Sequence, residues 1–518
     1  MTSKPKRTRK TEANHSARGR KSERDIHYDV VIVGAGPAGS TLAWKLALEG
    51  VKTIVLDGAR FPREKVCGDY IEPRGLHILD MMGCLETLEA TSPLPITYSS
   101  TYVDGRRCYI GRIPFYGVHK HLPKHGYIVP RDVLDNVILQ SAVKKGATAH
   151  QETYVTKFSA NRSGVRLEAR RHGERLVYHG RMIVGADGVN SVVARDAGLL
   201  ADDPRYIALS QRAYADGYDG GIGEAAFFFD ADFFPGYGWM FPMSGGRVNL
   251  GVGVLKETCQ RGGIAVPQLF RDFFETLKRI HPRCGKLKLL RPPIGGIVKT
   301  YGGAGPNYFD RGVLIGDAGC FVDPMTGEGI TPAMESALIA SRVILGVLPT
   351  GHLDAKALSA YETEFREYFD PSMIFVDLCA AALRNPHYWN SWKKALERGC
   401  AMAQRDSKFA ATAGACFGGL EVNPSGILAE MWMKTAESLL GVGSNTKLAA
   451  TSGERIDGVA LKLREMAGWI GDSWVSMLED PFWHIGWTKD VQRKWVRAVS
   501  IMSQRLPDPR IKGVVPRG

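Results

Sequence analysis

Residues 28–57 constrain what this chain can fold into more tightly than any other stretch. Tyr28-Asp29-Val30-Val31-Ile32-Val33 is a short apolar run rich in β-branched residues, the pattern of a buried parallel strand. Gly34-Ala35-Gly36-Pro37-Ala38-Gly39 follows without a gap, and Leu42, Ala43, Leu46 and Ala47 then recur at helical spacing. Gly50 closes that helix, Thr53–Leu56 make a second strand, and Asp57 ends it. Gly34 permits a tight turn, Gly36 lets a pyrophosphate approach the backbone, and Gly39 lets helix and sheet pack closely. The helix N-terminus then faces the negative phosphates. Asp57, eighteen residues after Gly39, is placed to accept a bond from a ribose hydroxyl. A lone GxGxxG is a weak signal. Strand, turn, helix, strand and acid in order predict a dinucleotide-binding unit.

Two later stretches extend the pattern. Arg181-Met182-Ile183-Val184-Gly185-Ala186-Asp187-Gly188 and Gly312-Val313-Leu314-Ile315-Gly316-Asp317 each read as a strand ending in a Gly/Asp turn. Together the three stations resemble the FAD-binding fold of the flavoprotein monooxygenase superfamily. The resemblance implies that the turn holding Asp187 supports the cofactor loops and that Asp317 holds the ribityl chain. Asp323-Pro324-Met325-Thr326-Gly327-Glu328-Gly329-Ile330 then opens a helix. Two glycines at a helix start leave backbone N–H groups free, and the positive helix end suits the anionic edge of a reduced flavin. No second GxGxxG occurs. Electrons are therefore expected from NAD(P)H visiting transiently or from a reduced electron-carrier protein.

Four further segments narrow the resemblance to the geranylgeranyl reductase family, which includes prenyl-lipid reductases and menaquinone isoprenyl-chain reductases. Lys65-Val66-Cys67-Gly68-Asp69 looks like its K-x-C-G-[DG] segment, and Tyr237-Gly238-Trp239-Met240-Phe241-Pro242 matches Y-x-W-x-F-P. The DPMTGEGI stretch matches P-x-x-G-[GE]-G-I, and Arg131 in VPRDVLD matches an R-x-x-L-D helix start. The resemblance spans roughly residues 28–345 and implies these site residues: Gly34, Gly36, Ala38, Gly39, Asp57, Cys67, Gly68, Arg131, Asp187, Asp317, Gly327, Gly329 and Ile330 around FAD, with Cys67, Tyr237 and Trp239 at the chemistry. Cys67 reads either as a proton-transfer or positioning residue or as a small buried thiol. As a strand, 237–242 puts Tyr237, Trp239 and Phe241 on one face. The chain departs from the family at Tyr70, where many relatives carry a small residue, and in continuing far beyond residue 345.

The implied activity is reduction of carbon–carbon double bonds in a hydrophobic, isoprenoid substrate. Flavin halogenases share the scaffold, but their W-x-W-x-I-P hallmark is altered here at Tyr237 and Phe241, and Lys65 is the lysine available near the flavin loops. Hydroxylation or epoxidation stays open, because it needs only reduced flavin, O2 and a dry pocket. A non-enzymatic sensor or electron carrier is a third class.

Length and charge complete the expectation. At 518 residues, 44% hydrophobic and 23% charged, the chain is globular and long enough for two or more domains. Part of the +13 net charge is local: residues 1–27 carry nine Lys/Arg and almost nothing apolar, and read as a disordered basic tail. No nucleic-acid motif accompanies it. Nine scattered cysteines with no CxxC pair argue against a metal site or disulfide framework and for a reducing, cytoplasmic setting. No uncharged apolar run is long enough for a spanning helix. The SGG turn at 244–246 predicts that GRVNLGVGVL pairs with the aromatic strand, and Pro292-Pro293 are expected to break the ladder and return the chain to the FAD domain.

The expected architecture is α/β. A Rossmann-like FAD-binding domain (28–95, 125–200 and 300–345) carries an inserted α+β substrate domain (96–124 and 201–299) and a helical C-terminal region (346–518). Six of ten tryptophans lie from Trp432 onward, the last ones among Lys489, Arg493, Lys494 and Arg497. That region reads as a helical cap, as a peripheral membrane contact, or as both.

Overall fold

The expected first strand runs Ile26–Val33 in the computed structural model, which describes residues 26–112, 122–220, 223–233, 236–303, 305–407, 409–410, 471 and 473–503. It begins two residues inside the segment expected as tail, because Ile26 and His27 already pair with Tyr178 and His179. Residues 1–25, Trp432, Trp469 and the polar connector at 441–455 lie outside the described residues.

Ile26–Val33 lies parallel between Glu174–Gly185 and Thr53–Leu56. The sheet order is Tyr308–Phe309, Gly312–Leu314, Glu174–Gly185, Ile26–Val33, Thr53–Leu56, Thr148–His150. Val30, Val31 and Ile32 have no exposure because both faces are covered, which is why this strand reads as a continuous apolar run. One face meets helices Pro37–Leu48, Arg131–Lys144 and Ile330–Val347. The other meets the antiparallel strands Thr153–Asn161 and Gly164–Arg171.

A second sheet runs Lys288–Leu289, Ile207–Asp216, Arg247–Leu255, Tyr237–Pro242, Glu224–Phe229, Tyr98–Val103, Arg106–Arg112. The aromatic strand and Arg247–Leu255 pair antiparallel around Ser244–Gly246, as the turn predicts. The proline break behaves differently from expectation. Ile294–Lys299 resumes pairing with Ile207–Asp216, so the chain stays in this sheet for one more strand. Proline removes a donor only locally; the return comes at Thr300, which bridges Val322. Helix Val266–Ile280 covers one face of this sheet through Leu269, Phe270, Phe273 and Leu277.

Ile330–Val347 is apolar and long enough to cross a membrane, with mean hydropathy 1.4, but 78% of it is buried inside the protein. Its Arg342 pairs with Glu364, and its Glu335 with Arg74. It is a core helix. Ala355–Leu383 packs on it, and Pro481–Ser503 packs on Ala355–Leu383. Buried charges dock this last helix: Lys494 on Asp377, and Asp490 on Arg384, which also meets Glu257 at 3.0 Å. Trp487 Nε1 donates to the Ala381 carbonyl at 2.8 Å.

Candidate flavin site and aromatic chamber

The turn after Ile26–Val33 is where two chain segments nearly touch. Gly34 has φ +101°, and a Cβ there would lie 2.2 Å from the Ala186 carbonyl oxygen. A Cβ on Gly39 would lie 1.9 Å from the Gly34 carbonyl oxygen, so Gly39 serves packing and is the one expected site residue that does not line the cavity. Gly36 instead opens on space: the nearest atom to its Cβ position is Arg63 Nη2 at 3.7 Å. Helix Pro37–Leu48 starts there with no side-chain cap, leaving its first N–H groups free for an anion. Asp57 accepts from Ala35 N and Ala59 N, both at 2.7 Å, and each oxygen keeps a lone pair for a ribose hydroxyl. Arg63, held by Asp135 at 3.0 Å, adds a guanidinium. Bare N–H groups, a fixed carboxylate and one cation fit the pyrophosphate and ribose of a dinucleotide.

Farther along the same cavity, Asp317 lies 3.6 Å from Lys65 Nζ. Asp323 Oδ1 accepts from Met325 N at 2.8 Å and Thr326 N at 2.7 Å, which shapes the glycine loop. Gly327 has φ +70°, and at the start of helix Ile330–Val347 Glu328 Oε1 accepts from Thr331 N at 2.8 Å, while Gly327, Gly329 and Ile330 line the cavity. Asp187 lines the cavity, yet its carboxylate is engaged by Ser191 Oγ at 2.5 Å and Val192 N at 2.7 Å. These bonds hold its own turn together.

The cavity is about 560 Å³, in the range of ligand pockets, and its ring end is aromatic. Strand alternation explains the wall. Gly238 and Met240 face helix Val266–Ile280, and a Cβ on Gly238 would strike Phe273 at 2.3 Å. Tyr237, Trp239 and Phe241 therefore face the opposite way, into the cavity. Glycines on the neighbouring strand make slots for them: a Cβ on Gly251 would meet the Trp239 ring at 2.4 Å, and one on Gly253 the Tyr237 ring at 3.3 Å. Tyr237 Oη donates to the Thr326 carbonyl, tying the wall to the glycine loop, and burial pushes its phenol well above the ordinary range. The Tyr70 ring lies tilted against that of Phe241, 5.7 Å between centroids, and belongs to the same wall.

The loop Lys65–Asp69 crosses this wall. Gly68 is its contact point, with a Cβ position 3.2 Å from the Phe241 ring. Cys67 opens into the cavity but is enclosed by protein. Burial pushes its thiol up, Arg131 pulls it down, and Asp69 pushes it up again. The positive charge of Arg131 is what pulls the Cys67 thiol down, while its Nε and Nη2 grip Asp135 at 2.7 and 2.8 Å. The expected arginine itself lines the cavity.

Several residues here escaped the sequence reading. Asp69 is fully buried with φ +62°, and desolvation raises its carboxyl to about 6 against the pull of Tyr214 and Arg212. Asn249 donates from Nδ2 to Asp69 Oδ2 at 2.8 Å and to the Cys67 carbonyl at 2.9 Å, and accepts from Trp239 Nε1 at 3.1 Å. Indole is only a donor, so the orientation of the Asn249 amide is chemically determined. Asn249 sits mid-strand with no motif around it. The one available signal was an asparagine inside an otherwise apolar strand, RVNLGVGVL. Arg63 lies in a loop with no local pattern.

Comparison with known proteins agrees with this geometry. A family model of the FAD binding domain matches residues 27–210. The chain is 32% identical over 371 residues to a menaquinone reductase of Mycolicibacterium smegmatis, covering 70% of this chain and 85% of that protein. It is 30% identical over 347 residues to a digeranylgeranylglycerophospholipid reductase of Methanothrix thermoacetophila, covering 65% and 83%. Among solved structures, a geranylgeranyl bacteriochlorophyll reductase-like protein from Thermoplasma acidophilum superposes with TM-score 0.66 at 21% identity, covering 80% of this chain and 99% of that one. A flavin-dependent brominase superposes with TM-score 0.62 at 19% identity, covering 80% and 100%. At those identities the structures establish the shared fold alone.

Proposed function

The chain belongs to the FAD-dependent geranylgeranyl reductase family and is an FAD-dependent oxidoreductase; from that premise we propose that it saturates carbon–carbon double bonds in an isoprenoid substrate. The observation that carries this reading is Cys67 between Arg131 and the Tyr237–Trp239–Phe241 wall, at the ring end of a cavity whose other end suits a dinucleotide. Reduced FAD, held by the Gly34–Gly39 turn, Asp57, Asp317 and the Gly327–Ile330 helix start, supplies hydride when bound.

The chain's own residues supply the rest. The aromatic wall binds an apolar prenyl chain, excludes water, and eases positive charge at a trisubstituted alkene carbon. Burial keeps Cys67 as a thiol, able to give its proton to one alkene carbon while the other receives hydride. The thiolate left behind faces the Arg131 guanidinium, which favours it. Lys65 is directed to Asp317 rather than standing free, which leaves halogenation with less support.

In this reading the substrate arrives from a lipid surface. Nine of the fifteen exposed large apolar residues among the described residues fall between Trp474 and Val499, including Leu478, Phe482 and Val496. Exposed Lys489, Arg493 and Arg497 lie on the same helix and suit anionic headgroups. Ala380, Leu383 and Trp389 of the helical region line the cavity, giving a route between the two. NAD(P)H or a reduced carrier protein is the electron source.

The test uses the purified holoenzyme, reduced anaerobically and mixed with a prenylated quinone or prenyl glycerolipid. A product heavier by two hydrogens per bond is expected. A product heavier by one oxygen in air, with no hydrogenated product without it, overturns the reading.

A further inference from the structure

Asp69 ends the Cys67 loop, and its surroundings are more specific than a core packing role requires. Its Oδ2 receives two bonds, from Tyr214 Oη and Asn249 Nδ2, while Oδ1 is buried without a hydrogen-bond partner. Asn249 carries the connection onward to the Trp239 indole and back to the Cys67 carbonyl. Arg212 stacks over Tyr214 at 4.2 Å and donates to the Lys65 carbonyl at 3.2 Å, so the base of the network is also held to this loop. A left-handed backbone at an aspartate is strained and persists only where the surroundings impose it.

We infer that Asp69 is the positioning residue of the chamber: through Tyr214 and Asn249 it fixes the Trp239 indole and the Cys67 loop in one arrangement, and its charge opposes that of Arg131 across the thiol. The inference rests on the reductase reading for the meaning of the chamber, but not for its test. The titratable and charged groups facing Cys67 and Asp69 are Arg131 from helix Arg131–Lys144 and Arg212 and Tyr214 from strand Ile207–Asp216. With Asp69 neutralised, Arg131 acts on the thiol unopposed. Both donors bond the same carboxylate oxygen, so an asparagine amide oxygen can accept them both and preserve the arrangement while removing the charge.

The experiment compares Asp69→Asn, Asp69→Leu and the parent protein, each as FAD-loaded full chain. Alkylation of Cys67 by iodoacetamide is followed by peptide mass spectrometry across pH. In Asp69→Asn, alkylation is expected at lower pH and several-fold faster at neutrality. Asp69→Leu is expected to lose turnover on the prenyl substrate by about tenfold to a hundredfold, the size expected for losing two buried hydrogen bonds, with Asp69→Asn recovering a large part of it. Wild-type alkylation of Asp69→Asn at every pH overturns the inference, even if Asp69→Leu proves unstable. If the parent protein hydrogenates no prenyl substrate yet the alkylation shift appears, the reductase reading falls and the positioning role stands.

Discussion

The two ends of the cavity are built from different materials. The nucleotide end is mostly backbone: Gly34, Gly36, free helix N–H groups and a carboxylate held by the Ala35 and Ala59 N–H groups. The chamber end is mostly side chain: Tyr237 and Trp239 set in slots made by Gly253 and Gly251, Phe241 beside them, and Trp239 tied to the Cys67 loop by Asn249 and Asp69. Backbone N–H groups recognise phosphate whatever the neighbouring side chains are, so that end can be common to enzymes of many chemistries. Side chains in a dry cavity decide what reacts there. Damage at one end should cost the cofactor, and damage at the other should cost turnover with the cofactor retained.

The largest expected effect tests the first half. Gly34→Val forces a β-branched residue into φ +101° and into the Ala186 carbonyl. The purified protein should be colourless, and flavin titration should show no saturable binding. A yellow, folded variant would break the comparison.

Next comes the buried charge cluster behind the glycine loop. Arg74 reaches Glu335 at 2.8 Å and Glu72 at 3.2 Å, and Tyr368 Oη donates to Glu335 at 2.7 Å. Burial lifts Glu72 to about 7 despite Arg74 beside it. Arg74→Ala leaves carboxylates buried without their cation and should cost about 3–5 kcal/mol in urea unfolding. Unchanged stability would show that these carboxylates are held neutral without it.

A pH effect follows from Asp69. Its folded value of about 6 lies above the ordinary 3.8, so the folded state favours the protonated form. The resulting stabilisation is full below pH about 4 and lost as pH rises through about 6, amounting to about 3 kcal/mol. Asp69→Asn should flatten the stability profile across that window, measured by urea midpoints.

Cys67→Ala should sharpen the contrast, lowering turnover about a hundredfold while flavin affinity is retained. Parent-level turnover would reduce Cys67 to a packing residue. The smallest effect is Trp239→Phe. It keeps an aromatic face but strands Asn249 Oδ1, costing about 1–2 kcal/mol of stability in thermal or urea unfolding.

The difference between the two ends also explains what could be read in advance. The dinucleotide turn is local in sequence: its glycines, helix and acid fall within residues 34–57, and local sterics compel their conformation. The alternation of the aromatic strand was legible for the same reason, since period two is a property of the strand itself. The Pro292-Pro293 break misled because proline reports a missing donor and says nothing of where the next strand pairs. The polar network was illegible because its members, Asp69, Tyr214 and Asn249, are separated by 145 and 180 residues.

By itself the amino-acid sequence determined a dinucleotide-binding βαβ unit, the strand that carries the aromatic wall, and the family that uses both. Those are patterns of short range, set by backbone freedom and periodicity. The tertiary structure alone decided that Asn249 and Asp69 join that wall to Cys67, that Arg63 faces the nucleotide turn, and that helices beyond residue 345 line the same cavity. Their physical reason is burial. A polar group enclosed far from water must find its partner wherever folding brings one, and sequence separation does not record that distance.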